Sequence, residues 1–486
     1  MDEVQNLFAG AGMGNPQDVA MLLKALEVGH LRGGDPSAQS GGSLKVESLE
    51  KTLKILAERP DDMQLFNSIP KLPAYSTVEE YEQLLSYGND NMGGFIGEGE
   101  LPEETDATYL RKAALVKYIG VTKQISHQAM LVNLLVGDIR ARETINATTY
   151  VLKKADIAIA KGDAGPVPFE WDGIYKIQSD AFNTLDEWQD SNSVIDCRGD
   201  FLREEYIESA SEGIVDNHGF GDLLMAPPKV LSNFVKKFHE SKLIMPNTPA
   251  LTDGIMGQRV KTFMSQFGSV DIRYDKFLKS ASSRKSGDGA THVKAPAKPV
   301  KDGVIPIVAN ADTSSRFGAA FDGDYFIGVA AINRYGESQI ELLSNALVTV
   351  AAAESLDCKF TAGAGAYAPT GYVIYRSELN PTTAVGATPL YPVFKVSTTN
   401  LATGFDGGAA GIVRDRNRFI PNTDSAFLIE NNDQIWSLKQ LLPIVKMDLA
   451  RISPAERFTV LMYAVPNLYA PKKMARFVNV GKYVAP

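Results

Sequence analysis

The chain has little of the chemistry from which active sites are built. Its 486 residues include two cysteines, five histidines and three tryptophans. Cys197 and Cys358 stand far apart, and His30, His127, His218, His239 and His292 are scattered. A structural zinc site needs four such ligands at close spacing, so neither a metal nor any other cofactor is expected. The two cysteines read as reduced thiols rather than as a disulfide framework. No apolar run approaches the ~20 residues of a membrane-spanning helix. The start, "MDEVQNLFAGAGMG", has an acid pair where a secretory signal has basic residues. Basic charge is scarce too: 49 Lys and Arg face 58 Asp and Glu, a formal net charge of −9. That balance argues against a protein whose main work is gripping nucleic acid.

Catalytic motifs are also missing. No His-Glu-x-x-His, Gly-x-Ser-x-Gly or Cys-x-x-Cys occurs. Gly10, Gly12 and Gly14 in "GAGMGNP" follow no strand and precede no Gly-Lys-Ser/Thr, so they read as a flexible arm rather than a phosphate loop. Ser282 and Lys285 make a Ser-x-x-Lys match inside a polar stretch with nothing to orient it. Glu204 and Glu205 read as a solvated helix face. Trp171, Trp188 and Trp436 read as core or interface anchors. The expectation is a structural protein and not an enzyme.

What is present is a sequence of contrasting textures. Residues 1–42, rich in Gly, Ser, Asp and Gln, read as a mobile arm around "PQDVAMLLKALEVGH". "SLKVESLEKTLKILAER" is a clearer helix, with Ser43 placed to cap it. Next, "PAYSTVEEYEQLLSYG" and "ATYLRKAALVKYIGVTKQIS" flank a Gly-rich loop holding Asp90, Glu98, Glu100, Glu103, Glu104 and Asp106, with no Lys or Arg. A hairpin this long cannot pack on a core of its own and is expected to lie on a neighbouring molecule. Residues 137–161 read as a long helix with Ile145, Leu152, Ala155 and Ile159 in one stripe and Gly162 as its cap. Asp200 is expected to open a helix ended by Gly213. "KVLSNFVKKFHES" is expected to form another, begun by prolines.

Residues 279–303 have the composition of a linker. From there to about 413 the texture is all β, with runs such as "YFIGVAAIN" and "GYVIYRSEL", closed by an apparently flexible "TGFDGGAAGIVRDRNR". A β-sandwich inserted at 294–418 is expected. The chain ends on two strand runs, "RFTVLMYAV" and "MARFVNVGKYV", joined by "PNLYAPKK". This ending is basic, with Lys472, Lys473, Arg476 and Lys482. Its second run is apolar on both faces, as in a strand covered on both sides.

The order of arm, acidic hairpin loop, long helix, α/β segment and two-strand C-terminal hairpin resembles the major capsid proteins of tailed bacteriophages, in particular those of large contractile-tailed phages. Three stretches carry the resemblance: "LPAYSTVEEYEQLLSYGN" (72–89), "LLPIVKMDLARISPAERFTVLMYAVPNL" (441–468) and "YAPKKMARFVNV" (469–480). It implies an α+β, Hong Kong 97-like capsid fold. The implied parts are an N-terminal arm (1–60), an extended loop (61–120), a peripheral domain (121–216 with 446–486) and an axial domain (217–293 with 419–445). "YFIGVAAINRYGES" and "GYVIYR" in turn resemble strands of a fibronectin type III domain, in reversed order, so the insertion is expected to be an Ig-like sandwich facing outward.

The implied function is a major capsid protein that assembles with itself, as hexamers and pentamers, into the icosahedral head around double-stranded DNA. DNA contacts would be without sequence preference, and portal, scaffold and decoration proteins would be further partners, with no membrane. Synthesis and assembly would take place in the bacterial host cytoplasm and the product would reside in the virion. The type member of the fold cross-links its extended loop through a lysine, and residues 88–106 have none, so no covalent cross-link is expected. Contacts between subunits are expected to pair Glu98, Glu100, Glu103 and Glu104 with Lys472, Lys473 or Arg476. The competing readings are an encapsulin-like nanocompartment shell and a carbohydrate-binding surface adhesin.

Overall fold

The computed structural model describes residues 59–88, 95–101, 104–131, 138–181, 193–241, 260–303, 306–451 and 453–481. The elements below belong to one unit, Ala57–Val132 with Ile139–Pro486. The expected arm at 1–60 lies almost wholly outside the described residues, as do Trp188 and Lys482.

A spine helix runs from Ile139 to Lys161 and buries Ala147, Val151, Ala155 and Ile159 at four-residue steps. Ile145, expected in this stripe, is 61% exposed. It lies about a third of a turn off the line through Val151. Four of the seven buried residues of the helix are alanine, which brings the helix close to its neighbours. At its end the Gly162 N–H donates to the Ala158 carbonyl at 3.0 Å. A Cβ on Gly162 would strike the carbonyl oxygens of Trp171 and Ala158, so glycine serves a close approach there.

One face of the helix packs on a four-stranded sheet ordered Lys71–Pro73, Trp436–Leu449, Ala455–Leu468, Lys117–Ser126. Phe458, Val460, Met462 and Ala464, alternate residues of one strand, join Trp171 and Trp436 in this core. A six-stranded sheet is ordered Val194–Asp196, Met474–Val480, Asp424–Ile429, Leu223–Ala226, Gly268–Tyr274, Thr262–Ser265. Its strands divide their side chains by alternation. Leu223, Met225, Phe427, Ile429 and Met474 enter the spine-helix core. Leu224, Ala226, Ala426, Leu428, Ala475 and Phe477 enter a second core with Ile207, Ile214 and Phe234 from helices Glu204–Asp216 and Pro228–Ser241. The first of these helices starts four residues after Asp200 and passes through buried Gly213, which was expected to end it.

The expected two-strand C-terminal hairpin does not form. Ala455–Leu468 pairs with Trp436–Leu449 and Lys117–Ser126, while Met474–Val480 crosses to the other sheet. The physical reason is the two-faced apolar pattern of the last run. All seven of its residues are buried, and only a sheet covered on both sides offers that. In the four-stranded sheet Tyr118 and Met447 still face solvent. The last strand therefore lies between Asp424–Ile429, expected in the axial domain, and Val194–Asp196, expected in the peripheral one.

Between Val300 and Asp415 the described chain is mainly β, as expected, interrupted by the short helix Thr398–Thr403 and a single turn at Ala319–Phe321. One sheet holds Ile307–Ala311, Glu354–Thr361 and Ile412–Asp415; the other holds Gly336–Glu337, Ile327–Asn333, Gly371–Arg376 and Tyr391–Ser397. Val329, Ala331, Leu356, Cys358, Tyr372 and Ile374 share the core between them. Cys358 and Cys197 are free and lie in different cores. The two segments read as flexible are tied down. Arg284 exchanges backbone hydrogen bonds of 2.9 Å with Leu390 and pairs with Glu337 at 2.9 Å. In "RDRNR", Arg414, Arg416 and Arg418 meet Asp357, Asp312 and Asp406. Asp415 meets Arg376 at 2.5 Å in a pair that is almost fully buried.

The short helix Gln64–Ser68, which leads into the hairpin, is held by two buried acids. The Leu65 N–H donates to Asp275 at 2.9 Å and the Phe66 N–H to Asp156 at 2.8 Å. Burial, and then the Asp275 carboxylate hydrogen-bonded to it, push the Asp156 carboxyl well above the usual range. Asp156 thus holds its proton more tightly in the folded chain. The stability it contributes is present at low pH and is lost as pH rises from about 4 through neutrality. Asp156→Asn keeps the acceptor for Phe66 and a donor toward Asp275. In thermal unfolding it is expected to match or exceed the parent at pH 7 and to show a smaller alkaline loss. Asp275→Asn removes one of the two carboxylate oxygens that accept separately from the Leu65 and Phe277 N–H groups, and is expected to destabilise at every pH.

Candidate functional site

Strands Val78–Ser86 and Thr108–Leu115 form an antiparallel ribbon, paired from Val78 opposite Leu115 to Leu84 opposite Tyr109, with a one-residue register shift before Ser86 opposite Thr108. No residue of either strand is buried. Its fastening is at the base: Tyr81 meets Tyr469 edge-on at 4.9 Å, Gln83 donates to the Tyr469 carbonyl, and the Val116 N–H donates to Thr77 at 2.9 Å. An isolated two-stranded ribbon is marginal in water. This one also displays Leu84, Leu85, Tyr87, Tyr109 and Leu110, with Phe95 and Leu101 almost wholly exposed beyond it. A contiguous apolar surface of this kind marks a site of association. The apolar residues fall on both faces of the ribbon. Sequence reading identified the hairpin but not these residues as its contact surface; the signal was the failed alternation in "EQLLSYG".

Glu98, Glu100 and Glu104 are exposed at the loop, and the Gly97 N–H donates to Glu100 at 3.2 Å. Glu103 lies outside the described residues. Lys472 and Lys473 sit in the turn Pro471–Lys473, the first exposed and the second half-buried. Among the described residues no ion pair joins the loop acids to either lysine within the chain. Arg476 is placed apart from both. It is 9% exposed, on the strand between the two cores, and its guanidinium lies 4.0 Å from the centre of the Tyr175 ring. It therefore faces an internal space rather than the outer surface near the lysines. Its signal in the sequence was a single charge inside "MARFVNV".

The chain is similar over nearly its whole length to major capsid proteins of bacteriophages. The major capsid protein of Staphylococcus phage K is 25% identical over 480 residues, which cover 96% of this chain and 95% of that protein. That of Staphylococcus phage S25-3 aligns with the same identity and coverage. Among solved structures, one from Mycobacterium phage Adephagia aligns with TM-score 0.43 and 8% identity over 91% of this chain and 97% of that one. The holo-SrpI encapsulin complex from Synechococcus elongatus PCC 7942 aligns with TM-score 0.37 and 7% identity, over 90% and 93%. No family model matches the chain.

Leu85→Ser with Tyr109→Ser is expected to shift the unfolding free energy of the isolated subunit by no more than about 0.5 kcal/mol. The same double variant is expected to lower the assembled fraction in sedimentation velocity.

Proposed function

We propose that the chain is the major capsid protein of a tailed bacteriophage, a structural subunit that assembles with copies of itself into the icosahedral head around the genome. The observation that carries this is the similarity to phage major capsid proteins sustained across 96% of the chain and 95% of the relatives. The exposed apolar ribbon supports it, because the ribbon needs a neighbour to cover it. Hexamers and pentamers are the units, the ribbon and its loop reach over an adjacent subunit, and the sandwich at 294–418 is an outward-facing Ig-like insertion. The shell forms in the host cytoplasm, works without catalysis, and adds a portal, scaffold and decoration proteins. Several moderate interfaces per subunit act together, so none needs to be strong. A subunit with net charge −9 gives packaged DNA little to adhere to.

The loop acids Glu98, Glu100, Glu103 and Glu104 face Lys472 and Lys473 of a neighbour. Each exposed pair contributes only ~0–1 kcal/mol, so the pairing sets register more than stability. Arg476, being buried, takes no part.

Electron microscopy of the expressed chain tests the reading: closed shells are expected, and a discrete small oligomer overturns it. Shells packed with a cargo protein instead of DNA point to a nanocompartment. Lys472→Glu with Lys473→Glu is expected to impair assembly, and Glu98→Lys with Glu100→Lys to restore part of it; no rescue removes the pairing. On denaturing gels the particles are expected to run as single chains, since residues 88–106 contain no lysine. A ladder of multimers would refute that.

A further inference from the structure

Arg476 opens into a cavity of about 710 Å³ within the unit. The end of the spine helix, the helix Ile174–Ala181, the strand Tyr391–Ser397 and the last strand enclose it. Six cations and four acids line it, so the cavity is net positive inside a net-negative protein. The acids are mostly engaged. Asp415 is held by Arg376, Asp406 by Arg416 and Arg418, and Asp180 by Lys176; Asp163 accepts the Gly165 N–H at 3.0 Å.

The cations at one end are not matched in this way. No hydrogen bond or ion pair among the described residues engages the Arg476 guanidinium, and its Nε is buried without a partner. The hydroxyl of Tyr175, on whose ring it stacks, is likewise buried and unpartnered. Lys395 is exposed at the rim and forms no ion pair among the described residues. Lys161 donates to two neutral acceptors, the carbonyls of Phe277 at 3.2 Å and Lys279 at 2.5 Å. Burial lowers its amine to about 8, with Asp424 opposing the shift and Arg476 adding to it, so it is charged at neutral pH. A buried guanidinium with no counter-charge is costly, and the cost is relieved by an anion brought from outside.

We propose that this cavity binds a phosphate-bearing small molecule, with its oxyanion held by Arg476, Lys395 and Lys161. A planar guanidinium and two amines suit a dianion with several acceptor oxygens better than a carboxylate. The volume exceeds that of bare phosphate, and Phe394, Phe405 and Phe419 give the remainder apolar walls, as in sites for organic ligands. Free phosphate and a mononucleotide share the chemistry and differ in whether those walls are used.

Inorganic phosphate, adenosine monophosphate and acetate, titrated by calorimetry into the full chain at constant ionic strength, test this. Phosphate or the nucleotide is expected to saturate one site per chain and to raise the unfolding temperature, with acetate weaker. Lys395→Glu, a change at an exposed residue, is expected to weaken binding by about tenfold or more. Arg476→Met is expected to abolish binding while the chain stays folded, because it removes a buried unpaired charge. Tighter binding of the nucleotide assigns the apolar walls to its base; equal binding assigns the site to phosphate alone. Absence of saturable binding, or affinity unchanged in Lys395→Glu, overturns the proposal.

Discussion

The structure depends on the burial of Met474–Val480. Seven consecutive residues lose contact with water on both faces, and Met474, Phe477, Val478 and Val480 each contribute about 1.5–3 kcal/mol. To reach that environment the chain must leave the four-stranded sheet after Leu468, turn at Pro471 and enter between Val194–Asp196 and Asp424–Ile429. The strand thereby joins segments from distant parts of the chain and separates the two cores. Its two polar residues pose the difficulty of any doubly covered strand. Asn479 resolves it within the chain: at φ 58° its amide donates to Asp196 at 2.7 Å and to the Arg418 carbonyl at 2.8 Å, and accepts the Ile420 N–H at 2.8 Å. Arg476 has no such resolution, and the nearest open volume is the cavity beside it.

The same strand fastens the sandwich. Asp196 accepts from Asn479 on one side and from Arg316 at 2.6 Å on the other, and Arg198 donates to the Asn417 carbonyl at 3.1 Å. Beyond them the Arg376–Asp415 pair is closed by Asn417 and the Phe419 carbonyl, with the guanidinium over Phe317 and Tyr325. Such a pair adds little net stability against an apolar substitute, but losing one partner strands a buried charge. Its effect is therefore to tie the two sheets of the sandwich together, while Arg316 and Arg198 join the sandwich to the sheet that carries Asp196. The exit segment, polar by composition, acts as a clamp because Arg414, Arg416 and Arg418 recur at every second residue.

This explains which features were legible in the sequence. Information carried by local periodicity came through. The spine helix was placed within two residues of its start, the β texture from 300 to 415 was recognised, and the last strand was read as covered on both sides. Information carried by partners did not. "RDRNR" looks like a solvated tether until Asp312, Asp357 and Asp406 are placed opposite it. Gly213 looks like a stop until it is seen buried in its helix. Adjacent strand runs look like a hairpin, because neighbours in sequence usually pair. Of the proposed contact residues, Glu98, Glu100, Glu104 and Lys472 are exposed, whereas Arg476 is internal, a distinction no spacing could make.

The contrast between the cores and the ribbon bears on how assembly can be both reversible and exact in register. The spine helix, the two larger sheets and the sandwich bury side chains within their own chain. The two ribbon strands bury none, keep apolar surface on both faces, and are anchored near Tyr469 and Thr77. A rigid body with one weakly anchored, uncovered arm can meet neighbours at slightly different angles while the contact itself stays the same. Apolar area supplies the attraction, which is non-directional. On the proposed pairing, direction comes from charge, and residues 88–106 hold acids and no Lys or Arg.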